Sequence, residues 1–414
     1  MQRITWALLF AAILATLAGG LGGSLQPSRL ILAAALPLAL LQPTIFRHLT
    51  PTAKQALVMV AAIVTGGVLS LAWTEDLAGG IGLLLAVLVG SLGFLAGNSW
   101  STNPRSVQLL MRAWVIIVGI SLPVALYEIA TGNHFEGAFE DRTIGGIGSF
   151  PFAAIFFGNY NDFSAWLSLS FPITMAALAL EKNPYLRFLI AGMNALVIAI
   201  LVVNTSRGAI FIAIIGFAFF ALKFQRVRIW LLLFVPVLIV MIIDQFGNEA
   251  LDIYDLAVYR FESAGSQDES VSQRVGLLTA GLQALRDTYG FGVGVGGFEE
   301  YVNDNYPQLI PNPHNFLLEI AVNFGVIPAL VFVRFFILTF LSVFRRKDMP
   351  EPVRVAVLFG VVTLPVIGAV PSHAAGYIYW WVWIATLVVM AEVRPVERMR
   401  QRSAPVNAMQ MRTA

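Results

Sequence analysis

The chain has 414 residues, of which 58% are hydrophobic and 12% charged, with a mean hydropathy of +0.77. Soluble domains carry about 25% charged residues, so a water-soluble globule of this size is excluded and one helical membrane domain is expected. A net charge of +2 implies no field for a polyanion, and no nucleic-acid partner is expected. The absence of cysteine excludes disulfides, thiolate metal sites and cysteine nucleophiles. No cleavable signal is evident, because the first apolar run leads into further spans.

Apolar runs near the ~20 residues that cross a bilayer predict twelve spans: 4–23, 30–46, 56–73, 81–97, 113–130, 163–180, 188–204, 208–222, 229–246, 316–341, 355–371 and 377–391. None alternates with period two, which disfavours a β-barrel. With the N-terminus inside, 19 of the 26 Lys and Arg residues fall on inside segments, beside only five acids. That asymmetry places both termini in the cytoplasm. The expected fold is an all-α polytopic membrane protein of about 12 transmembrane helices, N-in and C-in, with one long extracytoplasmic loop bearing short helices. Its divisions are N-terminal helices (1–150), a core (151–345) that includes the 247–315 loop, C-terminal helices (346–392) and a basic tail (393–414). Within that loop, 271–287 reads as a helix.

Seven basic residues break the inside pattern: Arg29, Arg142, Arg207, Arg260, Arg274, Arg286 and Arg334. An arginine at the outer boundary gains nothing from orientation and costs desolvation. Arg207, in Asn204-Thr205-Ser206-Arg207-Gly208 between two apolar runs, would present its planar fork near outer headgroups, a geometry suited to phosphate; the alternative is snorkelling to lipid. Arg274 opens the 271–287 helix, and could equally pair with Asp268 or Glu269. Arg334 lies deep in a span with no nearby sequence partner.

His314 stands in Pro311-Asn312-Pro313-His314-Asn315-Phe316, just before a span. The prolines predict an extended approach. A helix N-terminus favours the neutral imidazole, which can accept a proton; an ordinary structural histidine is the alternative. His373, in Pro371-Ser372-His373, is the second candidate, and His134 reads as a loop residue. The glycine run Gly290–Gly297 lacks a surrounding βαβ unit, so a dinucleotide fingerprint is rejected. Loop geometry, or backbone approach to a sugar or phosphate, remains. Gly158-Asn159-Tyr160-Asn161-Asp162 reads as an N-cap and re-entrant turn, or as a site where Asn159 and Asp162 meet glycan hydroxyls. There is no P-loop, no GxSxG elbow and no metal-spaced cluster, and no carboxylate near Gly22–Gln26.

Taken in order, Gly158–Asp162, Thr205-Ser206-Arg207-Gly208-Ala209, Arg274, Gly292–Phe298, Pro313-His314-Asn315-Phe316-Leu317-Leu318-Glu319 and Asn323-Phe324-Gly325 resemble the O-antigen ligase and polymerase superfamily over roughly 150–345. The resemblance implies a bacterial inner-membrane enzyme with its active site facing the periplasm. Its donor would be a glycan on undecaprenyl diphosphate, and its acceptor a hydroxyl of lipid A-core or of another glycan. Neither metal nor cofactor is implied. Carried over, Arg207 and Arg274 would bind the diphosphate and His314 would take the acceptor proton. Asn315, Asn159 and Asp162 would line the substrate site. Ligase is the leading reading, with a polymerase of lipid-linked repeat units as alternative. A transporter of lipid-linked glycans is less favoured, because transporters place polar residues at midplane and show repeats.

Overall fold

The computed structural model describes residues 13–14, 16–18, 30, 49–98, 104–135, 152–230, 232–234, 236, 269–311, 313–371 and 373–394. Every regular element among them is helical. In chain order the α-helices are α1 (Pro51–Ser70), α2 (Leu77–Asn98), α3 (Pro104–Thr131), α4 (Tyr160–Leu180), α5 (Pro184–Val203) and α6 (Arg207–Lys223). There follow α7 (Glu269–Asp287), α8 (Phe298–Asn305), α9 (Phe316–Phe324), α10 (Val326–Arg345), α11 (Glu351–Ile367) and α12 (Ile378–Ala391). Five of these, α1, α3, α4, α5 and α10, are long and apolar enough to cross a membrane. The expected spans 4–23, 30–46 and 229–246 lie largely outside the described residues. So do Gly22–Gln26, Arg29, Arg142, Arg260, the acids from Asp252 to Asp268, and the tail beyond Arg394.

Helix starts follow local chemistry. Thr50 caps α1 by accepting from the N–H of Ala53, with Pro51 at the first helical position; Asn183 and Pro184 do the same for α5. The span expected at 113–130 begins nine residues earlier, at Pro104. Its first turns are polar (Arg105, Gln108, Arg112), so hydropathy misses them although the backbone is helical. The expected helix 271–287 is present as α7.

The expected span 316–341 is corrected. It is two helices, α9 and α10, broken at Gly325, whose φ is +97°. A Cβ there would meet the Phe291 carbonyl oxygen at 3.1 Å, so only glycine suits both the conformation and the space. The short α9 runs across the bundle. Its first residue donates to Gly368 O beyond α11 (2.9 Å), while Phe324 at its other end packs on Gly66 and Gly67 of α1.

The helices alternate in direction, so the bundle has two distinct ends. At one end Arg112 pairs with Glu181, Lys223 with Glu351 and Arg346 with Asp348, and the Thr52 N–H donates to Glu392. The opposite end collects the C-termini of α1, α3, α5 and α11, the N-termini of α4, α6 and α12, and the α7–α9 segment. α4 is the central helix and is buried almost throughout, Trp166 included. Trp383 of α12 donates to its Leu169 carbonyl (2.9 Å), and Trp114 of α3 reaches Thr386 of α12 (3.1 Å). This interlocked aromatic core fixes the helix ends on which the site is built.

Candidate active site

Of the residues singled out in the sequence, His314 and His373 meet at the turn 368–377 between α11 and α12, and the start of α6 lies beside it. The ring of His314 uses it as a rest: Nδ1 lies 3.1 Å from the Pro371 carbonyl oxygen. A carbonyl can only accept, so Nδ1 carries the proton and donates. In the neutral ring the lone pair is then on Nε2. His314 itself turns left-handed, with φ +45°. Few L-residues adopt that conformation, and it marks a backbone held by its surroundings.

The helix that Arg207 opens, α6, starts beside the same turn. Thr205 (φ +51°) reverses the chain after α5, and Arg207 is the first residue of α6, half-buried. Gly208 beside it lies against α11, where a Cβ would stand 2.9 Å from Val370 Cγ2 and 3.8 Å from Val366 Cγ1. The start of α6, which carries Arg207, and the ring of His314 thus both lie against the stretch Val366–Pro371. Ser206, the N-cap of α6, makes no side-chain cap bond to the first N–H groups of the helix. A helix N-terminus of that kind adds positive potential beside the guanidinium.

Arg274 belongs to α7, which runs alongside α9 in the same direction: Gly281 packs on Leu318, and Gly290 on Val326. Arg274, two turns before Gly281, therefore lies toward the His314 end of α9. Gln273 beside it bonds the backbone of Gln308 (3.3 Å) and Ile310 (3.2 Å), tying α7 to the chain that leads to His314. At the far end of α7, Tyr301 of α8 donates to Asp287 (3.3 Å). Burial and that carboxylate push the tyrosine up to about 12.

The other candidates hold the frame. Asn159 caps α4, its Oδ1 accepting from Asn161 and Asp162. Asp162 is fully buried and accepts from the Tyr377 hydroxyl at 3.0 Å. Asn315 caps α9 by accepting from Leu318 (3.0 Å), which leaves its amide NH₂ as the group able to donate outward. His373 lies in the same turn, half-buried. Arg334 is exposed on α10 and is not brought to the turn.

The sequence reading missed the residues that shape this end. Glu128, in the last turn of α3, is fully buried and accepts from Ala154 (2.8 Å), Ile155 (2.7 Å) and Phe135 (3.2 Å). Asn204 grips the same segment from α5: it accepts from Ala153 N (2.8 Å) and donates to Ala153 O (2.9 Å) and Ser164 Oγ (3.1 Å). Together they satisfy a buried non-helical stretch, 152–159, that leads into Asn159. The available signal was a lone carboxylate in the final turn of an apolar helix. Tyr377, facing Asp162, left no sequence signal of that kind.

The glycine run serves packing. Gly290, Gly292, Gly294 and Gly296 all have positive φ. Val293 N–H donates to Val322 O (2.9 Å), Val295 N–H to Ser70 Oγ (2.9 Å) and Gly296 N–H to Asn323 Oδ1 (2.9 Å). Those donors face α1 and α9 and are not turned out toward an anion.

An apolar groove of about 420 Å³ runs between α10 and α11, lined by Phe332, Phe336, Ile337, Leu341, Val362 and Pro365. It starts at Asn315, Phe316 and Gly368, beside His314 and Pro371. A second apolar groove, about 510 Å³ between α3 and α5, touches none of the candidate residues. Among the described residues, no group of three or more His, Asp or Glu is placed to hold a metal ion.

Residues 192–333 match the family model for O-antigen ligase. The chain is also similar to the teichuronic acid biosynthesis protein TuaE of Bacillus subtilis (strain 168). The two are 23% identical over 358 residues, covering 82% of this chain and 72% of the relative. The matched segment contains Arg207, Arg274, His314 and Asn323, so over the residues that form the candidate site the chain is similar to the O-antigen ligase family.

Proposed function

We propose that this membrane enzyme transfers a glycan from undecaprenyl diphosphate to an acceptor hydroxyl, with inversion at the anomeric carbon. The observation that carries the reading is that Gly208, next to Arg207 at the start of α6, and the ring of His314 both lie against Val366–Pro371. His314 Nε2 takes the proton as the acceptor oxygen attacks the anomeric carbon. The bond from that carbon to the diphosphate breaks, and the leaving diphosphate gains negative charge. Arg207, the N-terminus of α6 and Arg274 stabilise that charge in a setting poor in water. Asn315 meets the substrate at the head of the α10–α11 groove, while Asn159 and Asp162 act from behind by holding the start of α4 and Tyr377. The prenyl chain occupies the α10–α11 groove, whose upper end opens beside His314.

In this reading the chain crosses the bacterial inner membrane twelve times with both termini in the cytoplasm. Arg112, Lys223, Arg346 and Arg354 share the end away from the site, as a cytoplasmic end requires. The core spans 151–345, though its geometry depends on the 368–377 turn beyond it. No metal takes part. Lipid A-core is the leading acceptor, a ligase reaction supported by the matched family. A relative named for teichuronic acid biosynthesis supports the second reading, a polymerase whose acceptor is another lipid-linked unit.

The test is transfer by purified protein from a defined undecaprenyl-diphosphate glycan, offered lipid A-core or a second lipid-linked unit, with excess EDTA throughout. Product with one acceptor names the reaction. Activity lost in EDTA and restored by magnesium overturns the metal-free reading. Orientation is read separately: a cysteine at the exposed Glu300, in a chain with none of its own, must react with an impermeant maleimide in intact spheroplasts.

A further inference from the structure

Glu319 is 3% exposed and lies five residues after His314, on α9. Its Oε2 accepts from the N–H of Ala374 (2.7 Å) and of Ala375 (3.2 Å). Both alanines are buried and stand in the irregular turn outside any helix. In the opposite direction, His314 Nδ1–H donates to Pro371 O and Phe316 N–H to Gly368 O (2.9 Å). The segment 314–319 and the turn 368–375 are therefore stapled by donors and acceptors running both ways.

This staple decides the state of the imidazole. No helical ladder holds the Pro371 carbonyl, because the turn has no regular structure. Trp381 Nε1–H fixes the Ala375 carbonyl (2.9 Å) and Tyr377 is held by Asp162, so the C-terminal half of the turn is anchored to α12 and α4. Glu319 alone of these anchors sits on the helix that His314 leads into. It fixes the spacing between the ring and the carbonyl on which the ring rests.

We propose that Glu319 is the positioning residue for His314. By holding the N–H groups of Ala374 and Ala375 it keeps the Pro371 carbonyl under Nδ1–H, and so keeps the lone pair of the neutral ring on Nε2. The proposal rests on the reading of His314 as general base. It assigns Glu319 a role as acceptor, not as charge. The backbone carbonyl does here what an orienting carboxylate does in a catalytic triad, namely hold the productive tautomer. The rival is an electrostatic role toward His373, which lies within charge range of Glu319.

The experiment uses the full chain in nanodiscs with ¹⁵N-labelled histidine. There are four histidines, and the His314 signals are those lost in His314→Gln. The wild type and Glu319→Gln should show His314 protonated at Nδ1, since glutamine keeps an oxygen for both N–H groups. Glu319→Asp withdraws that oxygen by about 1.5 Å, one carbon–carbon bond. It should give a mixture of tautomers and lower single-turnover transfer by ~10-fold or more at unchanged donor affinity, and Glu319→Ala should lower it ~10²-fold. An Nε2-protonated His314 in the wild type overturns the proposal. So does the reverse ranking, with Glu319→Asp active and Glu319→Gln inactive, which is the signature of charge. Should Glu319→Ala fail to fold, the Asp and Gln pair still decides. If His314→Ala transfers at the wild-type rate, the base reading itself falls, and with it any bearing of Glu319 on transfer, whatever the tautomer.

Discussion

Gly208 of α6 and Val370, in the turn after α11, lie so close that a Cβ on the glycine would stand 2.9 Å from Val370 Cγ2. Real Cβ contacts are rarely that short, so a side chain at 208 must push α6 away from the turn by a few tenths of an ångström. Arg207 would move with it, while the His314 ring would stay on Pro371. Gly208→Ala should therefore fold but transfer ~10-fold more slowly, since small misplacements near reacting groups are costly. Val370→Ala removes the opposing methyl groups and should restore most of the rate in the double variant. Equal loss with or without Val370→Ala would show that the contact does not set the distance.

The glycine run makes an opposite demand. Gly294 has φ +97°, and a Cβ there would lie 2.8 Å from the Thr74 Cα, a backbone atom that cannot turn aside. The left-handed backbone alone costs ~1–2 kcal/mol with a side chain, and the clash adds to it. Gly294→Ala should lower thermal stability clearly and leave donor affinity per folded molecule unchanged. Gly82→Ala, on α2 with open space around it, should be neutral or gain ~0.5–1 kcal/mol. A folded, stable Gly294→Ala with lost donor affinity would return the run to the phosphate-cradle reading.

How much of this was legible in the sequence depends on what each signal records. Hydropathy records burial in lipid or core, not chain direction. It found α4, α5 and α6 to within a few residues, and it ran α9 into α10 because Phe-Leu-Leu-Glu-Ile-Ala-Val-Asn-Phe is as apolar as the span that follows. The break was written only in Gly325. Arg207, Arg274 and His314 stood out because each sits where a charge or an imidazole is costly or unusual. The turn that receives the start of α6 and the ring of His314 did not stand out, because it contributes backbone: Pro371 and Gly368 through carbonyls, Ala374 and Ala375 through N–H groups. Backbone partners leave no residue-type signature.

Glu128 carries a sharper consequence. It takes three backbone N–H groups, two of them in the buried 152–159 segment. Glu128→Ala would leave Ala154 and Ile155 as buried unpaired donors, each costing ~1–3 kcal/mol. The segment should open to protease between 152 and 158, with a large fall in thermal stability. Asn204→Ala, which removes the grip on Ala153 from the other side, should do the same. The pair should be non-additive, because both hold one segment. If both variants resist protease as the wild type does, the segment is held by its neighbours' packing and the two polar grips are secondary.

His314 and Arg207 meet the substrate from different directions, and their variants should fail differently. His314 stands where the loop enters α9, with Nδ1 resting on the Pro371 carbonyl. Loss of a general base typically costs ~10²–10⁴-fold in rate, so His314→Ala should bind donor normally and transfer at that reduced rate. Arg207 opens α6 beside the N-terminal N–H groups, where the proposed reading places the diphosphate of a lipid-borne donor. Arg207→Ala should weaken donor binding and slow transfer together, because a charge-assisted contact is lost in both the bound and the transition state. Arg207→Lys keeps the charge without the two-point fork and should recover only part of each. Donor affinity and single-turnover transfer, measured on the same preparations, separate the two failures. Near wild-type transfer by His314→Ala would move the base to His373, which shares the turn.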